Sequence, residues 1–337
     1  MTDYLRRVTT DAPSRRPTVA IVGVGAIGTV VADALVAHAD VLLCRRGSTA
    51  PMAVEVAGTT RTVSAAVAAS PAGLTPVDFV VVTVKAQDTA AVGPWLEALV
   101  GPDTTVVVLQ NGIGHAERVS RWVAADRVVA GIVYIAAEKV ERDLVICRDP
   151  GALALAESEA AGRFARLFDP QRIAVRLVAD FVTESWTKLV MNSALNTVTA
   201  LTDRTMEVTT DPAARPLLRA LLAEGVRVGE AAGARFAAGA AETFLLRMDG
   251  LPRNSATSMQ LDRRAGRPLE HDYLTGAVLE AAARTGVAAP TVATVHGLVD
   301  ALGARAAGAR AAGASAADAK AAAPGAEPVA LESEIAA

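Results

Sequence analysis

The ten residues VAIVGVGAIG, Val19–Gly28, decide the fold of this chain. Val19 to Val22 are four consecutive apolar residues and read as a short buried strand. The glycines follow at once, and an Ala/Val-rich helical run then continues to about His38. A G-x-G-x-x-G pattern says little alone, but between a strand and a helix each glycine acquires a mechanical task. Gly23 permits the tight turn, Gly25 lets a pyrophosphate approach the backbone, and Gly28 lets helix and strand pack closely. The free N–H groups at the helix start then face the phosphates. The expected cofactor loop is therefore Gly23, Val24, Gly25, Ala26, Ile27 and Gly28.

Upstream, Arg15 and Arg16 precede the apolar run from Val19 to Leu43 and superficially resemble a twin-arginine signal or a membrane span. The glycines, Asp33 and Asp40 interrupt that run and assign it to the nucleotide loop instead. Residues 1–17 read as a flexible lead-in. Downstream, a second strand, Val41–Leu43, ends in Cys44-Arg45-Arg46-Gly47. An NAD site normally carries an acid at this tip for the ribose 2′-hydroxyl. Two arginines stand here instead, and a guanidinium fork suits a 2′-phosphate. The expected cofactor is NADP(H), with Arg46 the main contact and Arg45 a helper.

Further strands follow. Residues 52–66 suggest a hairpin around Gly58, and Phe79–Val84 and Thr105–Leu109 read as fully buried strands. Lys85 and Asn111 fall at the carboxyl tips of these two strands, where ligands gather in an open parallel sheet. Strand-like segments at 128–133, 140–147, 153–156 and 174–178 complete a doubly wound α/β domain over residues 18–182. From Thr183 the period becomes helical, with patterns over 183–206, 211–233, 238–250, 268–285 and 289–303. This marks an all-helical domain over 183–303, followed by an Ala/Gly-rich flexible tail over 304–337. Pro268 suits the first turn of a helix, which would place Glu270 in that turn.

Within TESWTKLVMNSALNTVTALT, Thr183–Thr202, apolar residues supply a core face, while Lys188, Asn192 and Asn196 recur at intervals of four along one stripe. The alternative is a solvated face. A lysine on a buried stripe is costly unless something uses it, so the stripe gains meaning if a cofactor faces it.

Taken together, GVGAIG (23–28), CRRG (44–47), VTVKAQDT (82–89), LQNGIG (109–114), ESWTKLVMNSALNTVTAL (184–201) and TSMQLDRRAGRPLEHDYLTG (257–276) closely resemble ketopantoate reductases across about residues 18–303. The resemblance implies a Rossmann domain, a helical domain and a cleft between them, with NADPH-dependent reduction of 2-dehydropantoate to (R)-pantoate on the way to pantothenate and coenzyme A. By the same likeness, Lys188 matches the general acid and Glu270 its carboxylate partner. Lys85 and Asn111 match cleft residues near cofactor and substrate, and Asn192, Asn196 and Ser258 match substrate-binding groups. Met206 and Ser255 depart from the family pattern, which often carries asparagine at both. They leave open a paralogous reductase of another 2-oxo acid. A non-catalytic NADP(H)-binding sensor is a further alternative, but it would need neither Lys188 nor Glu270.

Other classes are excluded more simply. The net charge of −3 over 337 residues offers no basic footprint for nucleic acid. Cys44 and Cys147 make neither a disulfide framework nor a metal-ligand pattern, and neither lies in a thiol-nucleophile motif. The expectation is a cytoplasmic enzyme with a small 2-oxo acid as its partner, no membrane and no metal. The sequence is silent on assembly, so a homodimer stays open.

Overall fold

The glycine-bearing stretch folds as read, and a sheet grows outward from it on both sides. The structure, a computed structural model, describes residues 15–303. The tail at 304–337 and all but the last three residues of the expected lead-in lie outside the described residues. Strand β1 (Thr18–Val22) runs into the loop and helix α1 (Ala26–Leu35), and β2 (Asp40–Cys44) returns beside β1. A hairpin of β3 (Ala53–Val56) and β4 (Thr59–Thr62) turns through Ala57 and Gly58, both at positive φ. Then come β5 (Ala66–Ala68), β6 (Phe79–Val82), helix α2 (Gly93–Leu99), β7 (Thr105–Leu109), helix α3 (His115–Val119) and β8 (Val128–Val133). The domain closes with β9 (Ala136–Lys139), β10 (Leu144–Asp149), β11 (Ala152–Ala156), helix α4 (Glu159–Ala165) and β12 (Ala174–Val178).

The main sheet has eight strands in the order β12-β11-β8-β7-β6-β1-β2-β5. From β1 the chain builds toward β5 on one side, then crosses to β6 and builds toward β12 on the other. The reversal of order between β1 and β6 opens the crevice where doubly wound sheets bind ligands. Alternation along the strands fills both faces. Ile21, Phe79 and Val81 pack with α1 in one core, while Ala20, Val22, Val80 and Val82 pack with Trp95, Leu96 and Leu99 of α2 in the other.

Two sheet expectations are corrected. The sheet is not parallel throughout, because β11 runs antiparallel to β8. The hairpin expected over 52–66 forms, with β3 and β4 as its arms, but neither it nor the segment near 140–147 extends the main sheet. They form a separate four-stranded sheet, β4-β3-β10-β9, with Val54, Val145 and Cys147 packing in the core of α1. Short strands carry no mark of the sheet they join, so this division rests on tertiary packing. Arg15 and Arg16 serve the fold as well: Arg15 pairs with Asp78 at 2.9 Å, and Arg16 donates to the carbonyls of Val36 and Ala39.

The helical domain begins with α5 (Phe181–Thr202). The Asp180 carboxylate accepts from the Thr183 N–H at 3.2 Å and caps its start, and Asp203 in the left-handed region ends it. Then follow α6 (Arg215–Ala231), α7 (Ala240–Asp249), α8 (Ser258–Arg264), α9 (Thr275–Thr285) and a last helix over residues 290–303. Helix α8, capped by Thr257, is absent from the sequence reading, and the expected helix over 268–285 starts only at Thr275. Pro268 and Glu270 lie in irregular backbone instead, and the Glu270 carboxylate reaches across to the other domain. Trp186, Leu189, Val190, Ala194, Leu195 and Val198 of α5 anchor the helical core. No helix among the described residues is long and apolar enough to cross a membrane.

Candidate active site

The glycine loop has the shape its sequence demands. Gly23 sits at φ +104°, and a Cβ there would lie 2.5 Å from the Val84 amide nitrogen. A Cβ on Gly28 would press on the Thr83 hydroxyl, 2.7 Å away, and that hydroxyl itself donates to the Gly23 carbonyl at 2.7 Å. Gly25 differs. A Cβ there would meet no atom within 4 Å, so the chain leaves open space over this residue. The first backbone bond of α1 is Thr29 N–H to the Gly25 carbonyl at 3.1 Å, which leaves the Ala26, Ile27 and Gly28 N–H groups ahead of the helical ladder. An open cradle lined by forward-pointing N–H groups at a helix start fits a dinucleotide pyrophosphate.

At the tip of β2 the two arginines separate. Arg45 is tied into the fold, pairing with Asp143 at 2.6 Å and donating to the Ala50 carbonyl at 3.0 Å. Arg46 is exposed and enters none of the ion pairs among the described residues. Of the two, Arg46 is thus the one without an ion-pair partner among the described residues.

The carboxyl ends of β6, β7 and β8 present the next groups side by side, since Val82 pairs with Val108 and Leu109 with Gly131. Lys85 follows β6. Its ammonium bridges two carboxylates of the helical domain, Asp262 at 2.9 Å and Glu270 at 3.0 Å. Burial pulls the Lys85 pKa down, but the charges of Glu270 and Asp262 outweigh it and hold the ammonium above the ordinary lysine value. Glu270 is only 4% exposed, and three donors converge on it: Lys85, the Ala86 N–H at 3.0 Å and the Asn111 amide at 3.1 Å. Asn111 is held by the loop around it. Arg118 donates to the Asn111 carbonyl at 2.9 Å and the Ile113 carbonyl at 2.7 Å, and stacks over the Tyr273 ring. His115 is buried, which drives its pKa to about 4; its Nε2 lies 3.0 Å from the Gln110 carbonyl oxygen.

Lys188 approaches the same edge of the sheet from α5. Its ammonium donates to the Val133 carbonyl at the end of β8 and sits 4.5 Å from the centre of the Tyr134 ring. The Tyr134 hydroxyl donates to Glu184 at 3.0 Å, one turn before Lys188, which fixes the ring beneath the amine. Burial lowers the Lys188 pKa to about 8. The expected partnership of Lys188 with Glu270 is not made: the carboxylate is bonded to Lys85 and the amine to a backbone carbonyl.

The stripe of α5 is not a solvated face. Lys188 and Asn192 are half-buried and Asn196 is 5% exposed. Among the described residues the two asparagine amides take no part in the side-chain hydrogen bonds of α5, which its threonines, Glu184 and Lys188 make. Ser258 is exposed at the start of α8, which is tied to α5 by the Thr199–Thr257 hydroxyl contact at 2.7 Å.

Sequence reading missed Asp262, Arg118 and Tyr134. Asp262 lies inside the stretch 257–276, but Asp-Arg-Arg looks like an ordinary charged helix face. Arg118 and Tyr134 carry no local signal at all. Both cysteines are buried and free, and burial pushes the Cys44 thiol up to about 12, far from a nucleophile's range.

Known proteins resemble the chain over both domains. The family described as ketopantoate reductase PanE/ApbA matches residues 19–160, and its C-terminal domain matches residues 180–303. A 2-dehydropantoate 2-reductase of Caulobacter vibrioides is 35% identical over 285 residues, covering 84% of this chain and 98% of the relative. That of Mycobacterium tuberculosis is 34% identical over 283 residues, covering 81% and 93%. Among solved structures, a dimeric ketopantoate reductase from Staphylococcus aureus matches with a TM-score of 0.77 at 26% identity, over 86% of this chain and 99% of that one. With both domains matched in order and a glycine loop, a polar strand edge and Lys188 in one arrangement, the chain belongs to the ketopantoate reductase family.

Proposed function

We propose that this protein reduces 2-dehydropantoate to (R)-pantoate with NADPH, and that Lys188 is the general acid. The observation that carries the reading is the Lys188 ammonium, half-buried on an apolar helix and held at the carboxyl edge of the nucleotide-binding sheet. A core helix has no use for such a lysine. Bound NADPH would supply the hydride. As negative charge develops on the ketone oxygen, Lys188 gives it a proton, and a lysine whose pKa is lowered to about 8 transfers that proton more readily than an ordinary one. The free amides of Asn192 and Asn196 bind the substrate's oxygen groups, and the Ser258 hydroxyl donates to its carboxylate. Glu270 holds Lys85 and Asn111 in place across the cleft, and so sets the distance between the two domains at the site.

The cofactor preference rests on Arg46. Replacing Arg46 by alanine removes charge-assisted contacts of about 1.5–3 kcal/mol and should reduce the NADPH-over-NADH preference roughly ten- to a hundredfold. Arg45→Ala should instead lower the melting temperature and leave that ratio in place, since its guanidinium is engaged with Asp143. An unchanged ratio in Arg46→Ala would remove it from the 2′-phosphate site.

Purified protein assayed for NADPH oxidation against a panel of branched and unbranched 2-oxo acids tests the activity directly. The expected result is the highest kcat/KM with 2-dehydropantoate. A second reading has a specific observation behind it. Met206 and Ser255, the two departures from the family pattern, lie side by side, the Met206 N–H donating to the Ser255 carbonyl at 2.9 Å. Changes concentrated at one spot favour a differently shaped 2-oxo acid, and a higher kcat/KM with another member of the panel would decide for it.

A further inference from the structure

The turn that follows Glu270 brings together four side chains for which the reduction has no use. His271 and Asp272 lie between α8 and α9, and His296 and Asp300 stand one turn apart on the last helix. The His271 Nε2 is 3.4 Å from an Asp300 carboxylate oxygen and 3.7 Å from one of Asp272, and the His296 Nε2 is 3.7 Å from that same Asp272 oxygen. One ligand atom from each of His271, Asp272 and His296 can be chosen so that all lie within 4.8 Å of one another.

His271 is 8% exposed, and its Nε2 is buried without a hydrogen bond. A buried nitrogen in that state calls for a partner. The other ring nitrogens are already committed. The His271 Nδ1 is 3.3 Å from the Leu269 carbonyl, and the His296 Nδ1 is 2.9 Å from the Thr275 hydroxyl oxygen, whose own proton goes to the His271 carbonyl at 3.1 Å. If each Nδ1–H donates, both Nε2 lone pairs are free and turned to the space shared with the carboxylates. This outer set of hydrogen bonds is the kind that orients metal-bound imidazoles. Two imidazoliums with ring centres 5.1 Å apart would repel, so a simple ion-pair cluster explains the arrangement less well.

We propose that His271, Asp272 and His296 bind a divalent cation of the zinc type, its fourth position open to water and the Asp300 carboxylate close beside His271. Ligands about 2.1 Å from a tetrahedral ion stand about 3.4 Å apart, close to the separations found here. Two nitrogen donors favour such an ion over magnesium or calcium, which take oxygen. Asp272 and Asp300, 71% and 72% exposed, give it an entry path. The bound ion clamps the last helix to the turn that begins at Glu270, and so restrains the carboxylate that spans the cleft.

The full chain without a histidine tag, stripped with a chelator and titrated with Co²⁺ in a non-coordinating buffer, tests this. The expected result is one Co²⁺ per chain with the intense visible bands of a tetrahedral site, displaced by Zn²⁺ and not by Mg²⁺. His296→Ala should weaken binding at least about tenfold, a loss that removing an outer-shell partner alone can cause. Asp300→Asn, at an exposed position that leaves folding intact, should weaken it too. Absence of bands at millimolar Co²⁺, a pale octahedral spectrum with several ions per chain, or affinity unchanged in both variants would overturn the site.

Discussion

Lys188→Ala lowers turnover by roughly 10²- to 10⁴-fold, the range general acid catalysis supplies, while NADPH affinity stays near that of the parent. The separation follows from position, because Lys188 comes from α5, whereas the glycine loop and Arg46 belong to the other domain. The pH profile gives a second readout. Burial lowers the Lys188 pKa to about 8, and the acid works only while it carries its proton. Below about pH 7 nearly all of it is protonated, so kcat/KM for reduction is flat there. Above about pH 8 the protonated fraction falls tenfold per pH unit, and kcat/KM falls with it. Lys188→Ala should lose this alkaline break. Near-parent turnover in the variant, or the same break surviving in it, would assign the proton to another group.

Glu270→Ala has the next largest effect. The substitution strips a buried carboxylate from Lys85, the Ala86 N–H and the Asn111 amide at once. Removing one partner of a buried ion pair costs about 3–5 kcal/mol. Asp262 still holds Lys85, which places the loss near the lower bound. A drop of about a hundredfold in kcat/KM is expected, with a lower melting temperature, because the three donors and the carboxylate belong to different domains. Glu270→Gln can still accept from Ala86 and Asn111 but cannot balance Lys85, so it should recover part of the loss. If Glu270→Ala keeps both its melting temperature and kcat/KM within twofold, the cleft does not depend on this cluster.

The motifs of the nucleotide loop were legible because their reasons are local. Gly23 is required by its own positive φ, Gly28 by the Gly23 carbonyl five residues before it, and Gly25 by the space it leaves. The stripe of Lys188, Asn192 and Asn196 was equally legible from helical spacing. What misled was the partner of Glu270. A proline at 268 suggests a helix start, yet the backbone there is irregular, with Glu270 at φ −81° and ψ 24°, and the carboxylate reaches Lys85, 185 positions away in sequence. The four-stranded sheet over α1 was similarly hidden, since β3 and β10 pair across some ninety residues and neither strand's pattern names the other.

The sequence alone determined the doubly wound domain, the helical domain after it, the phosphate loop and the lysine stripe. Each follows from periodicity or from backbone geometry that acts within a few residues. Only the tertiary structure decided that Arg45 rather than Arg46 pairs with Asp143, that Lys85 rather than Lys188 holds Glu270, and that Asp262, Arg118 and Tyr134 stand beside the candidate site. A charged side chain takes whichever partner the fold brings within about 3 Å in a region of low dielectric, and that choice is made by packing between domains.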